Sequence, residues 1–154
     1  TINNGTFKSN TWTGVAVTQS ATATINNGNI TGYTSGVASL EGSEYANINI
    51  NGGVIVGETK DAVSAWGNYT TTNLRGNALL MGKNMGYYTL GNSDNTGNAT
   101  SIGNKCYAYD TVTLWGGQYS IMIDGAFNGF WYKSTVNFIG SRHVPGYYCA
   151  ADPF

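Results

Sequence analysis

Short runs in which apolar and polar residues alternate recur along this chain at a nearly constant spacing. The run Thr1–Phe7 has counterparts that begin at residues 24, 49, 73, 113 and 137. The second position is apolar in every copy, and the residues there are Ile2, Ile25, Ile50, Leu74, Leu114 and Phe138. Alternation with period two over so few residues indicates a β-strand with one buried face. Because the copies return about every 24 residues, they predict one structural unit that is stacked on itself.

Each repeat also holds a turn and two further strands. Its fourth and fifth positions are mostly Asn or Gly, as in Asn4-Gly5 and Asn27-Gly28, and these residues tolerate the positive φ of a sharp turn. The second strand is predicted at Gly14–Val17, Gly36–Ser39, Ala62–Ala65, Gly86–Thr89 and Ala126–Gly129. The third strand leads into the next copy, as at Thr22–Ile25, Ala46–Ile50 and Tyr107–Val112. A meander of hairpins would not require the same residue type in every repeat, whereas a coil that stacks on itself does.

The sequence therefore predicts an all-β chain that forms a single-domain parallel β-helix (a solenoid) over residues 1–154. We expect about six coils with a period of about 24 residues. The step from residue 73 to residue 113 is longer than one such period by about 16 residues, and a polar stretch at 90–105 accounts for the excess. We predict a loop insertion at 90–105. We also predict an irregular C-terminal tail from residue 144, because Pro145 and Gly146 interrupt the last coil.

The phrase Thr-Ile-Asn-Asn-Gly-x-Ile, which occupies residues 24–30, resembles the repeats of secreted microbial adhesin-like proteins. The periodic pattern as a whole resembles the right-handed parallel β-helix of the pectate-lyase-like superfamily. The resemblance covers nearly the whole chain, but it lies in the periodicity and not in a diagnostic motif. It implies a protein that is extracellular or displayed on a cell or virion surface. Enzymes of that superfamily act on polysaccharides with clustered acids and usually have more coils than this chain.

Catalytic groups are sparse in this pattern. The acids Glu41, Glu44, Glu58 and Asp61 fall in turns, and no column holds an acid in three successive coils. We interpret them as solvated turn residues, since glycoside hydrolysis needs two carboxylates that face each other across a groove; a catalytic or Ca²⁺ site is the alternative. No motif specifies a metal or another cofactor. We therefore expect no cofactor and no catalytic residues, and the sequence favours a protein that is not an enzyme.

The composition narrows the partners further. Seven Lys and Arg residues stand against eight Asp and Glu residues, and only 10% of the chain is charged. Nucleic-acid binding is not expected, because it requires clustered cations to neutralise phosphates. Membrane insertion is not expected either, because the chain has no apolar run of about 18 residues.

Three kinds of side chain are candidates for contacts or modification. Trp12, Trp115 and Tyr148 are predicted to point outward, where they can contact a sugar or another subunit; packing on their own coil is the alternative. Cys106 and Cys149 are candidates for a disulfide. Asn4, Asn29, Asn68 and Asn98 lie in glycosylation sequons. With nineteen Asn and thirty Ser and Thr residues, about four sequons are expected by chance, so they do not establish secretion.

The repeat begins at Thr1, and no capping segment stands ahead of it. The exposed edge of a first coil invites association, so we expect it to be covered by copies of the chain or by the rest of a longer rod. The resulting hypothesis is a non-enzymatic extracellular structural or adhesive protein that assembles head-to-tail into a filament or forms part of a surface stalk. The alternative is a carbohydrate-active β-helix, either a polysaccharide lyase or hydrolase or a phage-spike shaft that binds surface glycans.

Overall fold

The computed structural model describes residues 1–40, 42–90, 104–124, 127–132, 135–143 and 149–151. Their strands are β1 Thr6–Ser9, β2 Val15–Val17, β3 Thr22–Ile25, β4 Asn29–Gly32, β5 Val37–Ser39, β6 Asn47–Ile50, β7 Val54–Gly57, β8 Val63–Ala65, β9 Thr71–Leu74, β10 Leu79–Gly82, β11 Met85–Leu90, β12 Asn104–Ala108, β13 Val112–Asp124, β14 Phe127–Tyr132, β15 Val136–His143 and β16 Cys149–Ala151. No helix occurs in these ranges, and none of them therefore supplies a helix able to span a membrane.

All strand pairs among the described residues are parallel, and they join strands of successive coils. One stack runs β1-β4-β7-β10-β13, a second runs β2-β5-β8-β11-β13, and a third runs β3-β6-β9-β12-β14-β16. The long strand β13 contributes to both the first and the second stack, and β15 pairs with it. The chain is therefore an all-β parallel β-solenoid, as the repeat predicted.

The period is regular in the first part of the chain. Thr6 pairs with Asn29, Asn29 with Val54, and Val54 with Leu79, so each partner lies one repeat further along the chain. About four turns keep this regular period, which is about 25 residues and typical of a solenoid. Leu79 then pairs with Thr113 after a longer step, and β13 to β16 continue the stack less regularly. The expected count of six coils is thus replaced by about four regular turns.

The structure corrects the predicted alignment from within the fourth repeat onward. The sequence alignment placed Leu114 over Leu74, whereas Leu114 pairs with Leu80 and Leu74 with Ala108. The longer coil therefore exceeds its neighbours by less than the alignment implied. Leu79 and Leu80 are both apolar, so the sequence pattern did not reveal which of them faces inward; the structure buries Leu80 fully.

Three predicted boundaries also change. The second strand predicted at Ala126–Gly129 is formed by the C-terminal part of β13, where Ile121 pairs with Tyr87. Both ends of the predicted insertion 90–105 belong to strands, because Leu90 ends β11 and Asn104 begins β12. Residues 91–103 lie outside the described residues. Within the predicted irregular tail, 149–151 form β16, and 144–148 lie outside the described residues.

The core consists of columns of like side chains inside the coil. Two of these columns contain Ile30, Ile55, Leu80 and Leu114 on the first stack and Ile25, Ile50 and Leu74 on the third. All seven are fully buried. Burying an aliphatic side chain of this size stabilises the folded state by about 1.5–3 kcal/mol, so the columns are a main source of stability.

A column of glycines closes one corner of the solenoid. Gly32, Gly57, Gly82 and Gly116 pair in register at the end of the first stack. A Cβ atom on Gly82 would overlap the backbone of Met85, which follows the corner. The corner is therefore too tight for a side chain. The sequence analysis identified a different turn, and there Gly5, Gly28 and Gly53 have the expected positive φ of 115°, 121° and 88°.

Candidate binding groove

A groove lies on the outer side of the second strand stack. We call it the Trp12–Trp66 groove; its volume is about 330 Å³. The residues that line it are Trp12, Thr13, Thr34, Ser35, Ala38, Leu40, Lys60 and Trp66. They come from three successive coils, so the solenoid brings together side chains that are far apart in the sequence.

One wall of the groove is a column at the corner that precedes the second stack. The Thr34 N–H donates to the Trp12 carbonyl at 3.2 Å, and the Lys60 N–H donates to the Thr34 carbonyl at 3.1 Å. The Trp12 N–H donates to Ser9 Oγ at 3.2 Å. These bonds fix the backbone of Trp12, whose side chain is 52% exposed.

The opposite wall follows the strands of the second stack. Leu40 comes directly after β5 and Trp66 directly after β8, and the Trp66 N–H donates to the Ser39 carbonyl at 3.2 Å. Ala38 forms the floor between the walls and pairs with Ser64 in the next coil. Because Ala38 is small, the larger side chains of the two walls leave a concave space.

Lys60 and Trp66 contact each other across the groove. The Nζ atom of Lys60 lies 5.4 Å from the centroid of the Trp66 ring, within cation–π range. The indole Nε1–H of Trp66 is enclosed and has no hydrogen-bond acceptor among the described residues. Enclosed donors without an acceptor are uncommon in folded proteins, and because this N–H is enclosed it is not accessible to a ligand in the groove.

A buried chain of hydrogen bonds lies beneath the groove. Ser64 Oγ donates to Asp61 Oδ2 at 3.0 Å, and the hydroxyl groups of Ser35 and Ser64 are 2.9 Å apart. Burial raises the pKa of Asp61 to about 6, while the hydrogen bond from Ser64, the charge of Lys60 and the Met85 backbone oppose that rise. Neither serine is accessible, since Ser35 is 3% exposed and Ser64 is fully buried. The arrangement is a buried polar layer beneath the groove and offers no exposed nucleophile.

The acidic turn residues Glu58 and Asp61 differ in their exposure to solvent. Glu58 is exposed and pairs with Lys8 through a 2.7 Å contact between Oε1 and Nζ. Asp61 is only 4% exposed, which corrects the interpretation of this residue as a solvated turn acid. Within the described part of the chain, no group of three or more His, Cys, Asp and Glu residues is placed to hold a metal ion.

The aromatic residues predicted to make contacts do not share one surface. Trp12 lies in the groove, whereas Trp115 belongs to the first stack and pairs with Met81 and Ile139. Trp115 is 38% exposed. The alignment of Leu114 with Leu74 implied that Trp115 lies over Arg75, which is wrong because of the shift in register described above. Tyr148 lies outside the described residues.

The register does not support a disulfide within the chain. Cys106 pairs with Phe130, and Phe130 pairs with Cys149, so one strand separates the two cysteines. Two strand spacings amount to about 9.6 Å, whereas the Cα atoms of a disulfide are within about 7 Å. The sequence could not show this, because both cysteines lie near the part of the chain where the period changes.

The four sequons have different surroundings. Asn4 and Asn29 are exposed, Asn68 is half-buried, and Asn98 lies outside the described residues. Glycosylation at these positions remains a prediction.

Trp66 and Lys60, which line the groove, were not predicted from the sequence as members of a site. One feature of the sequence could have indicated this wall of the groove. Leu40 and Trp66 are large apolar residues, and each comes directly after the predicted second strand of its repeat. Comparison of the chain with protein-family models, curated proteins and solved structures finds no match.

Proposed function

We propose that this chain is a non-enzymatic extracellular structural or adhesive protein, a β-solenoid rod that assembles head-to-tail into a filament or forms part of a surface stalk. The observation that carries the proposal is the parallel in-register stacking of coils. Each coil offers the next one a row of backbone donors and acceptors together with matching side chains. A rod of this kind grows by adding coils.

One end of the rod supports assembly. The strands β1, β2 and β3 each form the edge of their stack at the same end of the rod. Phe7 is in the same interior column as Ile30 but is 43% exposed, because no described residue covers it on the other side. Another coil, from a second copy or from further chain of the same protein, would bury Phe7 and complete the strand pairing.

Exposed aromatic rings support adhesion. Tyr45 and Tyr69 stack with their centroids 4.8 Å apart and an interplanar angle of 8°. Both are exposed, at 58% and 42%, and the ring separation matches the spacing of neighbouring strands. Flat aromatic surfaces of this kind are suited to contacts with sugars or with other proteins.

Assembly can be tested on the purified chain by light scattering and electron microscopy. We expect filaments or higher oligomers at high concentration. Phe7→Lys should abolish them, because it places a charge where the next coil would stack, whereas Tyr33→Lys, a change at a side chain that is 46% exposed, should not. A chain that stays monomeric at high concentration contradicts head-to-tail assembly.

A carbohydrate-active protein is the second candidate, and the Trp12–Trp66 groove is the observation that favours it. The groove combines aromatic rings with hydroxyl groups, as sites for sugars do. A glycan array and a polysaccharide cleavage assay separate the candidates. Cleavage would contradict the non-enzymatic proposal, and binding without cleavage would fit an adhesive rod.

A further inference from the structure

The Trp12–Trp66 groove has a distinct distribution of charge. Among the described residues that line it, Lys60 is the one with a charged side chain, and Lys60 is exposed. The nearby carboxyl group of Asp61 is buried and hydrogen-bonded to Ser64. The accessible part of the groove is therefore cationic, apolar on its two aromatic walls and polar at its hydroxyl groups.

We propose that this groove binds a sugar residue that carries a carboxylate, with the sugar ring on Trp12 and the carboxylate on the Lys60 ammonium. The inference deepens the adhesive function proposed above and rests on it. It names the class of ligand and the contacts that select it.

The case for a sugar comes from the wall that carries Trp12. A half-exposed indole with a fixed backbone offers an apolar face to the C–H groups of a pyranose ring. The hydroxyl groups of Thr13 and Thr34 are 3.2 Å apart in the same groove, and each can both donate and accept. The volume of about 330 Å³ is at the small end of ligand sites, which run from about 300 to 1,000 Å³, so the groove suits one or two sugar rings.

The case for a negative charge comes from Lys60, whose ammonium group lies over the Trp66 ring at the edge of the groove. An ammonium group attracts a carboxylate and forms a charge-assisted hydrogen bond with it. Two aromatic walls could also surround a quaternary ammonium ion, but the charge of Lys60 opposes a cationic ligand.

Isothermal calorimetry on the full chain tests the proposal with three probes. They are a 1,4-linked hexuronic acid tetrasaccharide, the neutral hexose tetrasaccharide of the same linkage, and N-acetylneuraminic acid. We expect at least one acidic probe to bind roughly tenfold or more tightly than the neutral one, as a hydrogen bond to a charged group predicts. The two acidic probes distinguish a uronic acid from a sialic acid as the source of the carboxylate.

Matched variants assign the contacts. Lys60→Met should remove the preference for acidic sugars, whereas Lys83→Met, which changes an exposed lysine outside the groove, should leave it unchanged. Trp12→Ala should weaken binding of every sugar that binds, and Trp115→Ala should not. Trp12 and Lys60 are exposed, so these variants are expected to fold, which circular dichroism verifies.

The proposal is overturned if no probe binds, if acidic and neutral sugars bind equally, or if Trp115→Ala weakens binding as much as Trp12→Ala does. These results leave assembly untouched, because filament formation is measured without sugar and depends on Phe7. If the chain forms filaments and adheres to cells but binds no acidic sugar, the groove inference fails and the proposed function stands.

Discussion

Ser64 donates its hydroxyl hydrogen to the carboxyl group of Asp61 across 3.0 Å, and both side chains are buried beneath the groove. The hydrogen bond favours the charged carboxylate, but the loss of water around the group has the larger effect, and the pKa of Asp61 rises from 3.8 to about 6. The protonation of Asp61 therefore makes the free energy of unfolding of the rod depend on pH.

We predict that the contribution of Asp61 to stability falls as the pH rises from about 4 to about 6. The pKa is higher in the folded state than in the unfolded state, so the folded chain binds the proton more tightly. The contribution is complete below the unfolded pKa of 3.8 and is lost through the folded pKa of about 6. The full effect is at most about 3 kcal/mol. Urea unfolding at several pH values measures it.

Asp61→Asn supplies the comparison, because its amide oxygen still accepts from Ser64 but does not titrate in this range. As the pH rises from about 4 to about 6, the wild type should lose stability relative to this variant, because residue 61 titrates in this range only in the wild type. Glu58→Gln alters an exposed ion pair and should change stability by less than about 1 kcal/mol. Parallel pH curves for the wild type and Asp61→Asn would refute the prediction.

Much of the fold could be predicted because the stacked coils of a solenoid require similar residues at a regular spacing in the sequence. Ile25 stacks on Ile50 as the alignment predicted, and Val15, Val37 and Val63 pair as the second strand predicted. The alignment failed after Arg75, where the Ala78 N–H donates to the Arg75 carbonyl in a turn. That turn shifts the strand by one residue, and two adjacent leucines conceal the shift.

The groove was harder to predict for a physical reason. Interior columns need like residues in every coil, so a sequence reveals them, but outer surfaces have no such requirement. Trp12 and Trp66 come from different coils and different walls, and the space between them exists because Ala38 is small. Asp61 was misjudged because its burial depends on Ser64 and on coverage by the neighbouring coil.

We predict that Gly82→Ala destabilises the protein by about 2 kcal/mol or more, as expected for overpacking or local backbone strain. The added Cβ atom would overlap the backbone of Met85, so the corner between the first two stacks would have to open. Thermal or urea unfolding measures the change. Lys83→Ala, at the adjacent exposed position, should have an effect within about 0.5 kcal/mol. Equal stability of both variants would show that the corner tolerates a side chain.

We predict that no disulfide joins Cys106 to Cys149 within one chain. Phe130 separates the two positions in the register, and the resulting distance of about 9.6 Å between strands exceeds the reach of a disulfide. The chain should be denatured with a thiol-alkylating reagent, without a reducing agent, and its intact mass measured. Monomeric chain should carry two alkyl groups. If the monomer stays unmodified and gains two alkyl groups only after it has been reduced, the two cysteines form a disulfide, which would contradict the register.

We predict that the interior columns, and not the outer apolar residues, hold the rod together. Ile55 is fully buried and stacks between Ile30 and Leu80, so Ile55→Ala should cost about 2–5 kcal/mol of unfolding free energy through lost burial and the cavity left behind. Ile139 lies on the outside of β15 and is 48% exposed, so Ile139→Ala should cost less than about 1 kcal/mol. Both variants remove the same atoms, and urea unfolding compares them directly. Since Ile55 contacts the coil on either side, a comparable loss at Ile139 would mean that stacking inside the coil contributes less than the register implies.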